Sequence, residues 1–217
     1  MGISLIEMLV ALGLGIGVSA LLISMLATQM LYFKDRVQTN QQTVAELELR
    51  RVLPRLVWAA GYTAPGLVQP RAADGWLSGE RGVSEYLPQV RQPDTDFLRI
   101  KGGAGTLCGV GGAVTPVDLY VNRAHELLCA SGAEQEVIAG NIVEFRVGYG
   151  VDEDGDTRGD SIKPTPSGNV IAVHYCIAIS VPPLSESTSS TSCDTGTVQV
   201  GGPRVVQVFA TLRNPPR

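Results

Sequence analysis

The sequence is poor in the residues that most often carry chemistry. It holds two histidines and four cysteines in 217 residues. No two cysteines form a C-x-x-C pair, so zinc-ribbon and thioredoxin-like readings lack their spacing. The glycine cluster from Gly102 to Gly112 contains no Gly-Lys-Ser/Thr, which excludes a phosphate-binding loop. Neither His125 nor His174 belongs to a signature with a partnered nucleophile, so both read as ordinary surface or half-buried residues and no catalytic role is expected. Basic residues are not in excess: Lys and Arg number 17 against 21 Asp and Glu, a net charge of −4. That excludes duplex nucleic-acid binding as the main activity. Charged residues make up only 18%, yet apolar residues reach 44%, which excludes disorder of the whole chain.

The apolar residues are unevenly spread. From Met8 to Leu31 no residue is charged. At 1.5 Å per residue such a helix spans about 36 Å, enough to cross a hydrocarbon core of about 30 Å. A cleaved secretory signal has a shorter apolar core and a small-x-small cleavage site, so a single transmembrane helix is the better reading. Glu7 sits within the apolar stretch Ile3-Ser4-Leu5-Ile6-Glu7-Met8-Leu9-Val10. A carboxylate in lipid costs roughly 2.5–3.5 kcal/mol at mid-depth and less near an end. By position alone Glu7 is either a functional acid or an interfacial side chain at a helix start, where the helix dipole favours it. Gly13, Gly17, Ala20, Ser24 and Ala27 recur at steps of four and three, one small-residue seam on one helical face.

The order Gly2-Ile3-Ser4-Leu5-Ile6-Glu7-Met8-Leu9-Val10-Ala11-Leu12 resembles the N-terminus of type IV prepilins and pseudopilins. The resemblance implies a peptidase cut after Gly2, N-methylation of Ile3 as the new first residue, and Glu7 as the assembly acid. The family most often has Phe where Ile3 stands. It also implies that Glu7 offsets the cationic amine of Ile3, its own or a neighbour's, because a buried charge is tolerable only when paired. Family precursors carry a short basic leader, expected here upstream of Met1, with residues 1–2 as its remnant. Lys34 and Arg36 lie on the C-terminal side of the span. The positive-inside rule alone would then place the C-terminal domain in the cytoplasm. The cysteines argue for the opposite side.

Cys108, Cys129, Cys176 and Cys193 are an even count behind a membrane anchor, which reads as two disulfides in an oxidising periplasm. Four cysteines allow three pairings. Cys108–Cys129 and Cys176–Cys193 are favoured, the second stapling the polar Ser185–Thr195 segment to a strand.

The helical pattern continues past the span. Leu49, Val52, Leu53, Leu56 and Ala60 follow helical spacing, after a polar patch from Gln38 to Thr43. Pro54 predicts a kink or break near Val52, and the helix should end by Gly61. The expected organisation is a transmembrane helix over 3–31, its periplasmic continuation over 32–61, and a β-rich head over 62–217. In the head, Phe97 to Lys101 is one strand candidate within a loop-rich stretch. Period-two alternation gives three stronger strands, over 142–149, 170–181 and 204–212, as an antiparallel meander with one face buried by the long helix. The expected fold class is α+β, a long N-terminal helix packed on an antiparallel sheet, which is the architecture of type IV pilins.

Three segments resemble PilW-type minor pilins: Arg55-Leu56-Val57-Trp58-Ala59-Ala60-Gly61-Tyr62, the run from Val147 to Asp156, and Val208-Phe209-Ala210-Thr211-Leu212-Arg213-Asn214. The resemblance implies a subunit that primes or joins a type IV pilus at or near its tip. Its implied partners are other minor pilins, the major pilin, prepilin peptidase, the inner-membrane assembly platform and a tip adhesin. Nucleic acid is not among them. The rival readings are a J-type pseudopilin of type II secretion, a monomeric membrane-anchored periplasmic binding domain and an anchored enzyme.

Asp152, Asp154, Asp156 and Asp160 crowd one loop, at positions 1, 3, 5 and 9 of an EF-hand-like spacing. Thr157 stands where that loop wants Gly, and Lys163 where it wants a bidentate Glu, so a complete EF-hand is excluded. A looser calcium loop and a solvated acidic turn both remain open, and no other cofactor is expected.

Overall fold

The computed structural model describes residues 4–60, 77–80, 90–101, 116–156, 158–180, 193 and 204–212. The chain forms two compact units that meet in sequence between Gln41 and Gln42. One helix, α1 (Leu5–Ala59), supplies most of the first unit and the first element of the second.

In the first unit, the segment Leu5–Lys34 is long and apolar enough to cross a membrane, and its large apolar side chains are all exposed. Its few hydroxyls turn back on the helix. Ser19 Oγ donates to the carbonyl of Gly15 at 2.8 Å, Ser24 Oγ to Leu21 at 2.8 Å, and Thr28 Oγ1 to Ser24 at 2.6 Å. An apolar environment requires this, because it offers those donors no other partner.

In the second unit the rest of α1 buries Leu49, Leu53, Leu56 and Val57, a stripe at helical spacing. The expected break at Pro54 is absent, and the helix runs through it to Ala59. Proline removes the donor that the Arg50 carbonyl would have used. Arg50 lies on the exposed side, where water can take that donor's place.

Two antiparallel sheets follow. The five-stranded sheet has β1 (Leu77–Glu80), β2 (Phe97–Ile100), β3 (Val117–Val121), β4 (Leu127–Ser131) and β5 (Glu134–Ala139) in sequence order. The four-stranded sheet has the order β7 (Ser161–Lys163), β6 (Ile142–Asp152), β8 (Asn169–Ile179), β9 (Arg204–Thr211). The meander of three long strands is therefore present, with β7 added on its outer side. Register pairs such as Val147↔Tyr175 and Ile177↔Val206 put alternate side chains on the inner face. Leu49, Leu53 and Leu56 join Leu98, Leu119, Leu127, Phe145, Tyr175 and Ile177 in one core that draws on both sheets. The fold is α+β: a long N-terminal apolar helix with antiparallel sheets.

A polar clamp ties α1 to β9. Glu46 accepts Arg50 Nε at 3.0 Å and Arg204 Nη2 at 2.6 Å, while Arg50 Nη1 donates to the Gln207 carbonyl at 3.3 Å. The five-stranded sheet corrects the sequence reading, which found only its β2. Its strands are four to six residues long, and β5 is mostly exposed. Alternation over so few residues is a weak signal.

Candidate functional site

Glu7 lies in the first turn of α1. The backbone N–H of Ser4 donates to Glu7 Oε2 at 3.2 Å, and the Ser4 carbonyl accepts the N–H of Met8 at 3.2 Å. This is half of a capping box, in which the acid three residues into the helix satisfies the donor at its start. The sequence reading missed it, although Ser4-x-x-Glu7 is its signature. Gly2 and Ile3 lie outside the described residues.

The small-residue seam stands open. A Cβ added at Gly13 or Gly17 meets nothing within 4 Å. A shallow groove on this helix is lined by Leu12, Gly15, Ile16, Ser19, Ala20 and Ile23. Of the seam residues it takes Ala20, whereas Gly13, Gly17 and Ser24 are not part of it.

The acidic loop joins β6 to β7. Carboxylate oxygens of Asp152, Asp154 and Asp156 lie within 4.8 Å of one another, and among the described residues this is the single cluster of three or more His, Cys, Asp or Glu side chains that close together. Asp160 is not in that group, and its Oδ2 accepts the N–H of Glu153 at 2.7 Å. The others also accept donors from their own loop: Gly155 N–H to Asp152 at 2.7 Å, Asp156 N–H to Asp154 at 3.0 Å, and Arg158 N–H to Asp156 at 2.7 Å. Gly155 takes φ +83°, a conformation glycine adopts without strain. Lys163 lies 2.8 Å from Glu153, and its hydrogen bond holds that carboxyl below the usual range.

Cys176 on β8 is bonded to Cys193, with Cα atoms 5.7 Å apart. Cys129 is also disulfide-bonded, and Cys108 lies outside the described residues. Beside the Cys176–Cys193 bridge, buried Asp96 accepts the N–H of Val147 at 2.8 Å and faces Arg146 at 3.5 Å. Arg146 also reaches Glu144 at 3.3 Å and the Asp94 carbonyl at 2.6 Å. Glu144 in turn accepts the Cys193 N–H at 3.1 Å. Asp96 and Glu144 are thus both compensated, as burial of charge demands.

His174 stacks on Phe209 with ring centroids 4.2 Å apart. It borders two shallow cavities of about 210 and 270 Å³ on the face of the sheet opposite the core. Burial lowers its pKa, so the ring is favoured neutral. His125 sits in the β3–β4 turn at φ 60°, its Nδ1 3.2 Å from the Ile142 carbonyl. Burial raises the Tyr149 and Tyr175 hydroxyls, which stay protonated.

No family model matches the sequence, and no curated protein matches it. Among solved structures, the chain is similar to the type IV-like pilin TTHA1219 from Thermus thermophilus. The identity is 18% and the TM-score 0.41, over 78% of this chain and 96% of that one.

Proposed function

We propose that the chain is a membrane-anchored, pilin-like subunit of the PilW type, a minor pilin that works by assembly and catalyses no reaction of its own. Prepilin peptidase would remove everything through Gly2 and leave N-methyl-Ile3. The head would stand in the periplasm, and the assembled subunit would sit at or near a pilus tip beside other minor pilins. The observation that carries this reading is the Gly2-Ile3 pair ahead of Glu7 and an uncharged span whose apolar side chains are exposed. The Ser4–Glu7 contact supports it, because Ser4 directly follows the residue whose amine the cut would free. A carboxylate already turned toward that end of the helix is well placed to offset the new cation.

The segment from Tyr149 to Asp156 favours the pilus over the J-type pseudopilin of type II secretion, since it is there that the PilW-type resemblance is carried. The test is Glu7→Ala. Breaking one partner of a buried ion pair costs roughly 3–5 kcal/mol. The variant should insert in the membrane at normal levels and be lost from sheared pili. Glu7→Gln should be nearly as defective, because it keeps the shape and loses the charge. Wild-type amounts of both variants in the fibre fraction would leave Glu7 with its capping role alone.

A further inference from the structure

The face of the four-stranded sheet turned away from the core has no part in the assembly just described. Register sets Gly148 on β6, His174 on β8 and Phe209 on β9 in one row across it, with Gly150 and Ala172 in the next row. Glycine and alanine leave this surface low. Ile162 from β7 lies over Gly148, where an added Cβ would meet Ile162 Cγ2 at 2.7 Å. His174 and Ile162 line both of the shallow cavities on this face. The cavity of about 210 Å³ adds Asp96, Arg146 and Lys163, and that of about 270 Å³ adds Gly150, Ala172 and Phe209. Ile162 and Phe209 are 58% and 63% exposed, large apolar side chains to either side of the histidine.

We propose that this surface binds a neutral oligosaccharide of linked pyranose rings, laid along the sheet across the His174–Ile162 ridge. The inference concerns the head alone and does not depend on the pilin-like reading. The surface identifies the ligand's shape. A low floor beside an exposed aromatic ring takes a flat ring whose apolar C–H face rests on Phe209. One cavity lies on each side of the ridge. Cys176 and Ala172, which line one cavity each, are four residues apart on β8, about 13 Å at 3.3 Å per residue. A chain of rings covers that distance and a single ring does not.

The charges identify the ligand as neutral. Arg146 is matched by Asp96 at 3.5 Å and Glu144 at 3.3 Å, and Lys163 by Glu153 at 2.8 Å. An ionic ligand would have to break one of these pairs to gain another. Matched side chains still keep spare N–H donors and carboxylate lone pairs, which hydroxyls can use. His174 Nε2 is buried without a hydrogen-bond partner among the described residues. A hydroxyl suits it in either tautomer, because a hydroxyl both donates and accepts. The exposed Phe209 ring stacked on His174 can swing outward to admit one. A peptide strand fits less well. β6 and β8 each have a strand on both sides, so their backbone is already paired and offers a peptide no ladder.

The test is calorimetric titration of the full-length protein in a detergent whose head group is not a sugar. The probes are the neutral trisaccharides tri-N-acetylchitotriose, cellotriose and maltotriose, with an aromatic tripeptide as the rival ligand. The expected result is saturable, millimolar binding of at least one trisaccharide. Phe209→Ala should weaken it about tenfold, and Phe209→Leu, which keeps an apolar side chain and removes the ring, by a similar factor. His174→Ala should weaken it about fivefold, the value of one hydrogen bond. Val137→Ala, at an exposed position on β5, should bind as the wild type does. Melting temperatures establish that each variant is folded. No saturable binding of any trisaccharide, wild-type binding by any folded variant at position 174 or 209, or tighter binding of the tripeptide than of every sugar overturns the proposal.

Discussion

The two parts of α1 use similar residues in opposite ways. Between Leu5 and Lys34 the leucines, isoleucines and methionines point outward in every direction and none is buried. Between Leu49 and Val57 the same residue types form a stripe, and the protein's own core covers it. Side-chain chemistry alone does not separate the parts. The placement of charge does: the first part is uncharged from Met8 to Leu31, whereas the second carries Glu46, Glu48, Arg50, Arg51 and Arg55 around its stripe. A helix that is apolar all round needs lipid or other helices for solvent, while one with a single buried stripe needs only a sheet.

That contrast is broken most directly by truncating one leucine in each part. Leu53→Ala should destabilise the head by about 2–5 kcal/mol, since it empties a fully buried site. Leu22→Ala, in the exposed part, should leave the head's melting temperature unchanged. Thermal melting of the two variants in detergent is the measurement, and equal effects would erase the distinction.

Removing the Cys176–Cys193 bridge, as a paired substitution to serine, should cost about 3 kcal/mol, as expected for a closed loop near 15 residues. Denaturant titration without reductant reads this, and the same change should not alter membrane insertion. Glu46→Gln weakens the clamp between α1 and β9. Both of its arginine partners are substantially exposed, so a loss below about 1 kcal/mol is expected.

The smallest effect concerns pH. Burial lowers the folded pKa of His174 below its unfolded value of about 6.5. As pH falls below about 6.5 the unfolded chain takes up the proton first, so stability falls with it until the folded pKa is passed. His174→Gln should show a shallower loss of melting temperature between about pH 7 and pH 5 than the wild type. Parallel curves would show that the ring contributes nothing to the pH dependence.

The long elements were legible in the sequence because they repeat their signal. Ile171, Val173, Tyr175, Ile177 and Ile179 alternate for long enough to fix one face of β8, and the uncharged span declared itself by length. The short strands of the other sheet did not, and Asp118 within β3 blurred its pattern further: it pairs with Arg99 across the sheet at 2.7 Å, a partner only the register reveals. Pro54 misled for a related reason. Its cost depends on what the Arg50 carbonyl meets, and sequence does not say that this side faces water. Of the candidate site, Glu7 and the acidic run were visible as residues. The Ser4 cap on Glu7 was present as a spacing and overlooked, and the hydrogen bonds that knit Asp152 to Asp160 into one loop depend on its turns.

The central claim is that Glu7 and the span behind it belong to a processed, pilin-like subunit. Intact-mass and N-terminal analysis of the protein extracted from its native membrane tests it most directly. The account predicts a mature chain that begins at Ile3 with a methylated amine. A mature chain that still carries Gly2 at or before its start would contradict it.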